Sequence, residues 1–94
     1  MSRAYYEVVA SRLGMPPEDL EKASLRVFLE RRLRLIESRL FELSRRYGVA
    51  NVEELDRLIQ SGGLHEAEAF EGYFEFDNLE AERERLEASL KELA

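Results

Sequence analysis

The chain has 94 residues, of which 45% are hydrophobic and 36% are charged, and its formal net charge is −6. This apolar content excludes a disordered chain, which would bury too little surface to offset the entropy lost on ordering. The absence of cysteine excludes disulfides, thiolate metal sites and thiol nucleophiles, and it is compatible with a cytoplasmic protein.

The first predicted element is a short helix within residues 1–14. Apolar residues recur three or four apart between residues 5 and 13, which is typical of one face of an amphipathic helix. Gly14 ends it. Charged residues interrupt this segment, and no run of about eighteen apolar residues occurs elsewhere, so the sequence predicts neither a signal peptide nor a membrane span.

A long helix is predicted over residues 17–47, with Pro17 in its first turn and no glycine or proline inside it. Six apolar residues at alternating spacings of four and three form a narrow stripe along it, for which we predict a role in self-association. The stripe consists of Leu29, Leu33, Ile36, Leu40, Leu43 and Tyr47. Phe28, Leu35 and Phe41 lie off the stripe, which predicts packing against more than one neighbour.

Two further helical segments follow the long helix. A spacer helix is predicted over residues 52–60, because Asn51 and Glu54 have the spacing of a capping box. An acidic C-terminal helical region over residues 64–93 carries a second heptad-spaced stripe. Gly72 lies inside this region, and since glycine costs about 1 kcal/mol within a helix, we expect a bend there.

The fold class that these elements predict is all-α, as a single helical domain over residues 1–94. The two long helices have similar lengths and a spacer between them, so they can form an antiparallel hairpin. A chain of this size buries only a modest fraction of its surface, which favours a dimeric bundle. No segment shows the alternating pattern of a strand.

Charge is divided unevenly along the chain. Residues 1–50 carry ten Arg and Lys against seven Asp and Glu, whereas residues 51–94 carry four against thirteen. The halves either neutralise each other within the fold, which is the interpretation we favour, or they steer the acidic half towards a basic partner. The excess of arginine over lysine, with few amide side chains, is typical of thermophilic proteins.

No cluster of residues predicts catalysis, a cofactor or a metal ion, so we do not expect an enzyme. His65 is the only histidine, and no second Glu-x-x-His pair supplies further metal ligands. With seventeen glutamates in the chain, paired carboxylates say little about acid–base catalysis. Gly62 and Gly63 lack the lysine of a phosphate-binding loop.

The most distinctive segment interleaves four aromatic residues with acids. Neighbouring helical residues point about 100° apart, so no single face holds all four rings, and at least one ring should meet a second surface. Aromatic anchors flanked by acids are typical of a protein-binding patch, although the rings could instead only close the end of the hairpin. The predicted partner-binding residues are Phe70, Glu71, Tyr73, Phe74, Glu75, Phe76, Asp77 and Leu79.

The arginines of the long helix support a different hypothesis, nucleic-acid binding. Arg31, Arg32, Arg45 and Arg46 form basic pairs that could face phosphate groups. Glutamates interleave with them at the spacing of helix neighbours, and the chain as a whole is acidic. Both observations favour internal ion pairing, so nucleic-acid binding is an alternative that we do not favour.

Four segments together resemble small helical antitoxin components of archaeal and bacterial toxin–antitoxin pairs. These segments are the charged helix at residues 29–37, the helix end at 46–48, the short helix at 52–55 and the aromatic–acidic stretch at 73–80. The resemblance implies an antitoxin-like protein-binding module whose C-terminal region grips a basic partner, such as a small RNase. A homodimeric structural or regulatory protein is the second hypothesis.

Overall fold

A computed structural model describes residues 4–94, apart from the side chain of Glu66, and this range contains four helices. The helices are α1 (Ala4–Leu13), α2 (Pro17–Tyr47), α3 (Val52–Gln60) and α4 (Glu66–Leu93). Within this range no strand occurs, so the predicted all-α class is confirmed. The first three residues of the predicted N-terminal helix lie outside the described residues. None of the four helices is both long and apolar enough to cross a bilayer.

Capping residues define the ends of α2 and the start of α3. Gly48 follows α2 in the left-handed conformation (φ 67°), and its N–H donates to the carbonyl oxygen of Ser44. At the start of α3, the Asn51 side chain accepts a hydrogen bond of 2.9 Å from the N–H of Glu54. Glu80 of α4 accepts a second, of 3.1 Å, from the N–H of Val52. The first turn of α3 is therefore fixed onto α4.

The core lies mainly between α2 and α4, which run antiparallel. Arg26 near the start of α2 contacts Leu93 at the end of α4, whereas Arg39 contacts Glu75 near the start of α4. The buried cluster consists of Ile36, Leu40, Leu43, Leu55, Phe76 and Leu86. Leu29, Leu33 and Tyr47 pack against this cluster from its edge.

The stripe of α2 predicted for self-association thus faces α4 of the same chain. A tethered helix competes for this stripe at an effective concentration in the ~mM range, which a free second copy rarely reaches. A second copy would have to displace α4 to use the stripe. Self-association of the folded chain with α4 in place would therefore use another surface.

The bend expected at Gly72 is absent, because α4 is a single helix through this position. Gly72 is buried, and a Cβ atom added there would lie 2.7 Å from the Cε2 atom of Tyr47. The phenol of Tyr47 also donates a long hydrogen bond, of 3.5 Å, to the carbonyl oxygen of Glu68. Glycine therefore serves the close approach of the Tyr47 ring to α4 and does not interrupt the helix.

Helix α1 packs on the start of α2 and adds little to the core. Only Ala10 of α1 is buried, whereas Tyr5 and Leu13 are largely exposed. The N–H of Met15 donates to the carbonyl oxygen of Ala10, which closes the turn into α2. The described residues form a rod of 60 × 22 × 18 Å.

Candidate protein-interaction surfaces

Two bidentate ion pairs join α2 to α4. Arg39 donates to Glu75 through Nε at 2.6 Å and Nη2 at 2.8 Å, and Arg32 donates to Glu82 at 2.7 and 3.2 Å. The pairs are seven residues apart on both helices, so they lie on the same side of the interface between α2 and α4, which we call the seam. They fix the register of the two helices. Hydrogen bonds from Arg39 and Arg32 lower the pKa of the Glu75 and Glu82 carboxyls, respectively.

These ion pairs neutralise part of the charge that is unevenly divided between the two halves of the chain. Arg32 and Arg39 come from the basic half, and each is held by a carboxylate of the acidic half. Their guanidinium groups are thereby directed along the seam and not towards a continuous phosphate-binding stripe. The long-helix arginines therefore provide a weaker basis for nucleic-acid binding than their number implies.

Half of the predicted partner-binding residues face inward. Phe76 is fully buried in the core, and Leu79 and Tyr73 pack against it. Glu75 is occupied by Arg39. These four residues hold α4 in place and offer little surface to a partner.

The other four, Phe70, Glu71, Phe74 and Asp77, are exposed on the outer side of α4, and we call them the acidic aromatic surface. Phe70 and Phe74 are one turn apart and are 48% and 60% exposed. Tyr73 packs edge-on against Phe74, with ring centroids 5.7 Å apart, and so limits the movement of that ring. Among the described residues, neither Glu71 nor Asp77 has an ion-pair partner.

A second apolar surface lies on the side of α2 that faces away from α4. Its exposed large side chains, between 56% and 66% exposed, are Val27, Phe28, Leu35 and Phe41. We call this face, extended by Leu20 at its N-terminal end, the outer α2 surface. Three of these residues, Phe28, Leu35 and Phe41, are those that lie off the stripe in the sequence. The described residues leave Phe28 and Leu35 about two-thirds exposed, and the guanidinium group of Arg45 lies 5.9 Å from the centroid of the Phe41 ring.

The outer α2 surface is shaped as an open groove over residues 20–35, with a volume of about 750 Å³. Ala23 and Ser24 form its floor between larger side chains, and α1 borders it through Tyr5 and Val9. Arg31 lies within the groove and has no ion-pair partner in the described part of the chain. The groove is thus apolar with a basic group inside it, in contrast to the acidic surface on α4.

The described residues bring no three potential metal ligands together. His65 is exposed and occupies the N-cap position of α4 without a capping hydrogen bond from its side chain. Residues 1–94 match the model of the family described as the uncharacterized protein MJ0235 family. The chain belongs to the MJ0235 family. No curated protein and no solved structure matches the chain.

The description of the MJ0235 family names neither a partner nor a toxin, so the resemblance to antitoxins stays a prediction. For this member of the MJ0235 family, the structure distinguishes the apolar residues packed between α2 and α4 from two exposed surfaces, one on each of these helices. On the side of α4 that faces α2, Ala69, Gly72 and Phe76 are buried at spacings of three and four. The sequence pattern indicates this side of the helix only in part. The small side chains of Ala69 and Gly72 hide that pattern from a search for large apolar residues.

Proposed function

We propose that the protein is a cytoplasmic protein-binding module whose acidic aromatic surface docks a basic partner protein. The observation that supports this most directly is the joint exposure of Phe70 and Phe74 on adjacent turns of α4. Removal of this apolar area from water favours binding. Aromatic residues at the centre and charged residues at the rim are the usual arrangement in a protein interface.

The surface belongs to a helix that is already fixed before any partner arrives. Arg39 and Arg32 anchor α4 to α2 through the bidentate pairs, and Glu80 anchors it to α3. A preorganised surface loses little conformational entropy on binding, so more of the contact energy appears as affinity. The two phenyl rings would then mainly set the dissociation rate.

Glu71 and Asp77 give the surface its charge selectivity. Carboxylates without an internal partner attract a basic protein over the Debye length, about 8 Å at physiological ionic strength. They raise the association rate more than they raise the affinity, and salt reduces the effect. An antitoxin-like role is one form of this function, since the same carboxylates can occupy basic residues of an RNase that otherwise hold RNA phosphates.

The test is titration calorimetry with the protein that the neighbouring gene encodes, at low and at high salt. Phe70→Ala and Phe74→Ala should each weaken binding by about 30-fold, which corresponds to ~2 kcal/mol for a truncated aromatic anchor. Leu25→Ala is the matched control, because it removes a similarly exposed apolar side chain from α2 outside both surfaces. Absence of any complex at low salt would remove this candidate partner, and equal effects of all three variants would remove the proposed surface.

A dimeric bundle is the second part of the proposal. The specific observation in its favour is the uncovered outer α2 surface, because contiguous exposed apolar patches commonly mark interaction sites. A dimer would carry two acidic aromatic surfaces, one from each copy, and could grip two partner molecules. Light scattering at concentrations of ~100 µM tests it, since a monomer at that concentration excludes even a modest affinity.

A further inference from the structure

We propose that the outer α2 surface is where two copies of the chain meet, with their α2 helices antiparallel and a two-fold axis between Val27 and Phe28. This inference rests on the dimer proposed above and names its interface. The occupant of the groove is thus α2 of a second copy. The groove on each copy then receives side chains from the groove of the other.

Self-complementarity of the groove supports a second copy as its occupant. With the axis between residues 27 and 28, Leu20 faces Leu35 of the second copy. Val27 faces Phe28 of the second copy in the same way. All four side chains line the groove, so large apolar groups meet large apolar groups at its centre and at both of its ends.

The charges of the groove also fit this register. Arg31 comes opposite Ser24 of the second copy, a small polar residue that leaves room for the guanidinium group. A parallel pairing in register would place Arg31 against Arg31, and so would an antiparallel pairing centred on residue 31. Like charges facing each other across an interface are strongly unfavourable. The antiparallel register about residues 27 and 28 avoids this.

The ends of the interface extend the apolar contact. Phe41 lies just past the start of the second copy's α2, beside the turn between α1 and α2, where Leu13 is exposed. The α1 helix borders the groove, so Val9 can also contact the incoming helix. Both contacts would cover apolar side chains that the single chain leaves in water.

The size of the contact sets the expected affinity. Residues 20–35 span about 24 Å of helix at 1.5 Å per residue, and one helix is about 10 Å wide. This strip covers roughly 240 Å² of each copy, or about 500 Å² in total, so the contacts of Phe41 and α1 at both ends are needed to bring the interface towards the low end of specific ones, below about 1,200 Å². We therefore expect a dissociation constant in the ~µM range, within reach of sedimentation experiments.

Cysteine cross-linking tests the register, because the chain has no cysteine of its own. A disulfide forms only where two Cα atoms come within about 7 Å. Position 20 of one copy should reach position 35 of the other, whereas two positions 20 lie about 22 Å apart. Leu20→Cys mixed with Leu35→Cys should give a covalent dimer under mild oxidation, and either variant alone should give none above background. Cross-linking of either variant alone would overturn the antiparallel register.

A second variant tests the face itself by sedimentation. Phe28→Glu should weaken dimerisation by about 100-fold or more, since it replaces an apolar ring in the interface with a carboxylate and brings the carboxylates of both copies close together beside the two-fold axis. Phe74→Glu is the matched control and should leave the dimer intact, and circular dichroism checks that both variants stay helical. If the dimer persists in Phe28→Glu, and Leu20→Cys forms no disulfide with Leu35→Cys, this interface is wrong but the proposed dimer is not contradicted. A wild-type monomer at ~100 µM overturns both.

Discussion

The contact between Gly72 and Tyr47 shows how one side chain can make glycine the favoured residue inside a helix. In an isolated helix, alanine at this position would be favoured by about 1 kcal/mol. In the folded chain the Tyr47 ring occupies the space that a Cβ atom would need. The tertiary contact therefore opposes the local preference, and the sequence shows only the local preference.

Gly72→Ala should lower the free energy of unfolding by about 1–2 kcal/mol, because the cost of overpacking exceeds the gain in helix propensity. Urea unfolding followed by circular dichroism measures the difference. Tyr47→Leu supplies the control background, since it removes the ring atoms that the new methyl group would meet. In that background Gly72→Ala should be neutral or stabilising. A more stable Gly72→Ala protein with Tyr47 intact would show that the ring moves aside without cost.

At the scale of the helix, the pairing of α2 with α4 was only partly predictable. The stripes of both helices are visible as heptad spacings, and so are the ends of α2, because proline, glycine and the capping residues act locally. The partner of each stripe is not visible, since a stripe has the same pattern whether it meets its own chain or a second copy. The same holds for the pairing of Arg39 with Glu75, which depends on the register of two distant segments, whereas its pairing with Glu42 is local.

The two ion pairs predict a pH dependence of stability. Hydrogen bonds from the arginines lower the pKa of the Glu75 and Glu82 carboxyls below the values that these groups have in the unfolded chain. A lowered pKa in the folded state means that the pairs stabilise the fold above the unfolded pKa, near 4.3. Their contribution is lost as the pH falls through the lowered folded values.

The Glu75→Gln, Glu82→Gln double variant should have a lower Tm than the wild type at pH 7. The difference should shrink in high salt and should vanish as the pH falls well below 4, where the wild-type carboxylates also become protonated. Thermal unfolding followed by circular dichroism at a series of pH values measures both trends. Glu84→Gln is a suitable control, because it lies exposed on the same helix and outside these pairs. A gap in Tm that stays constant from pH 7 to pH 3 would contradict this origin.

Across the whole molecule, the outer α2 surface and the acidic aromatic surface carry opposite charge. The outer α2 surface has Arg31 within its groove, whereas the surface on α4 has Glu71 and Asp77 beside its rings. Half of the partner-binding residues predicted from the sequence lie on this α4 surface. The sequence places Phe28 and Leu35 off the stripe, but only the structure shows that the described residues leave both side chains about two-thirds exposed.

Because the two surfaces belong to different helices of a 60 Å rod, occupying one should leave the other accessible. We therefore expect a complex of two chains with two partner molecules, and light scattering coupled to gel filtration gives its mass. Phe28→Glu should reduce the complex to one chain with one partner while the affinity per site stays within about twofold, since effects at distant sites are additive. Phe74→Glu should abolish partner binding and leave the dimer of free chains. A partner that dissociates the wild-type dimer would show instead that the two surfaces compete, and that the partner occupies the groove on α2.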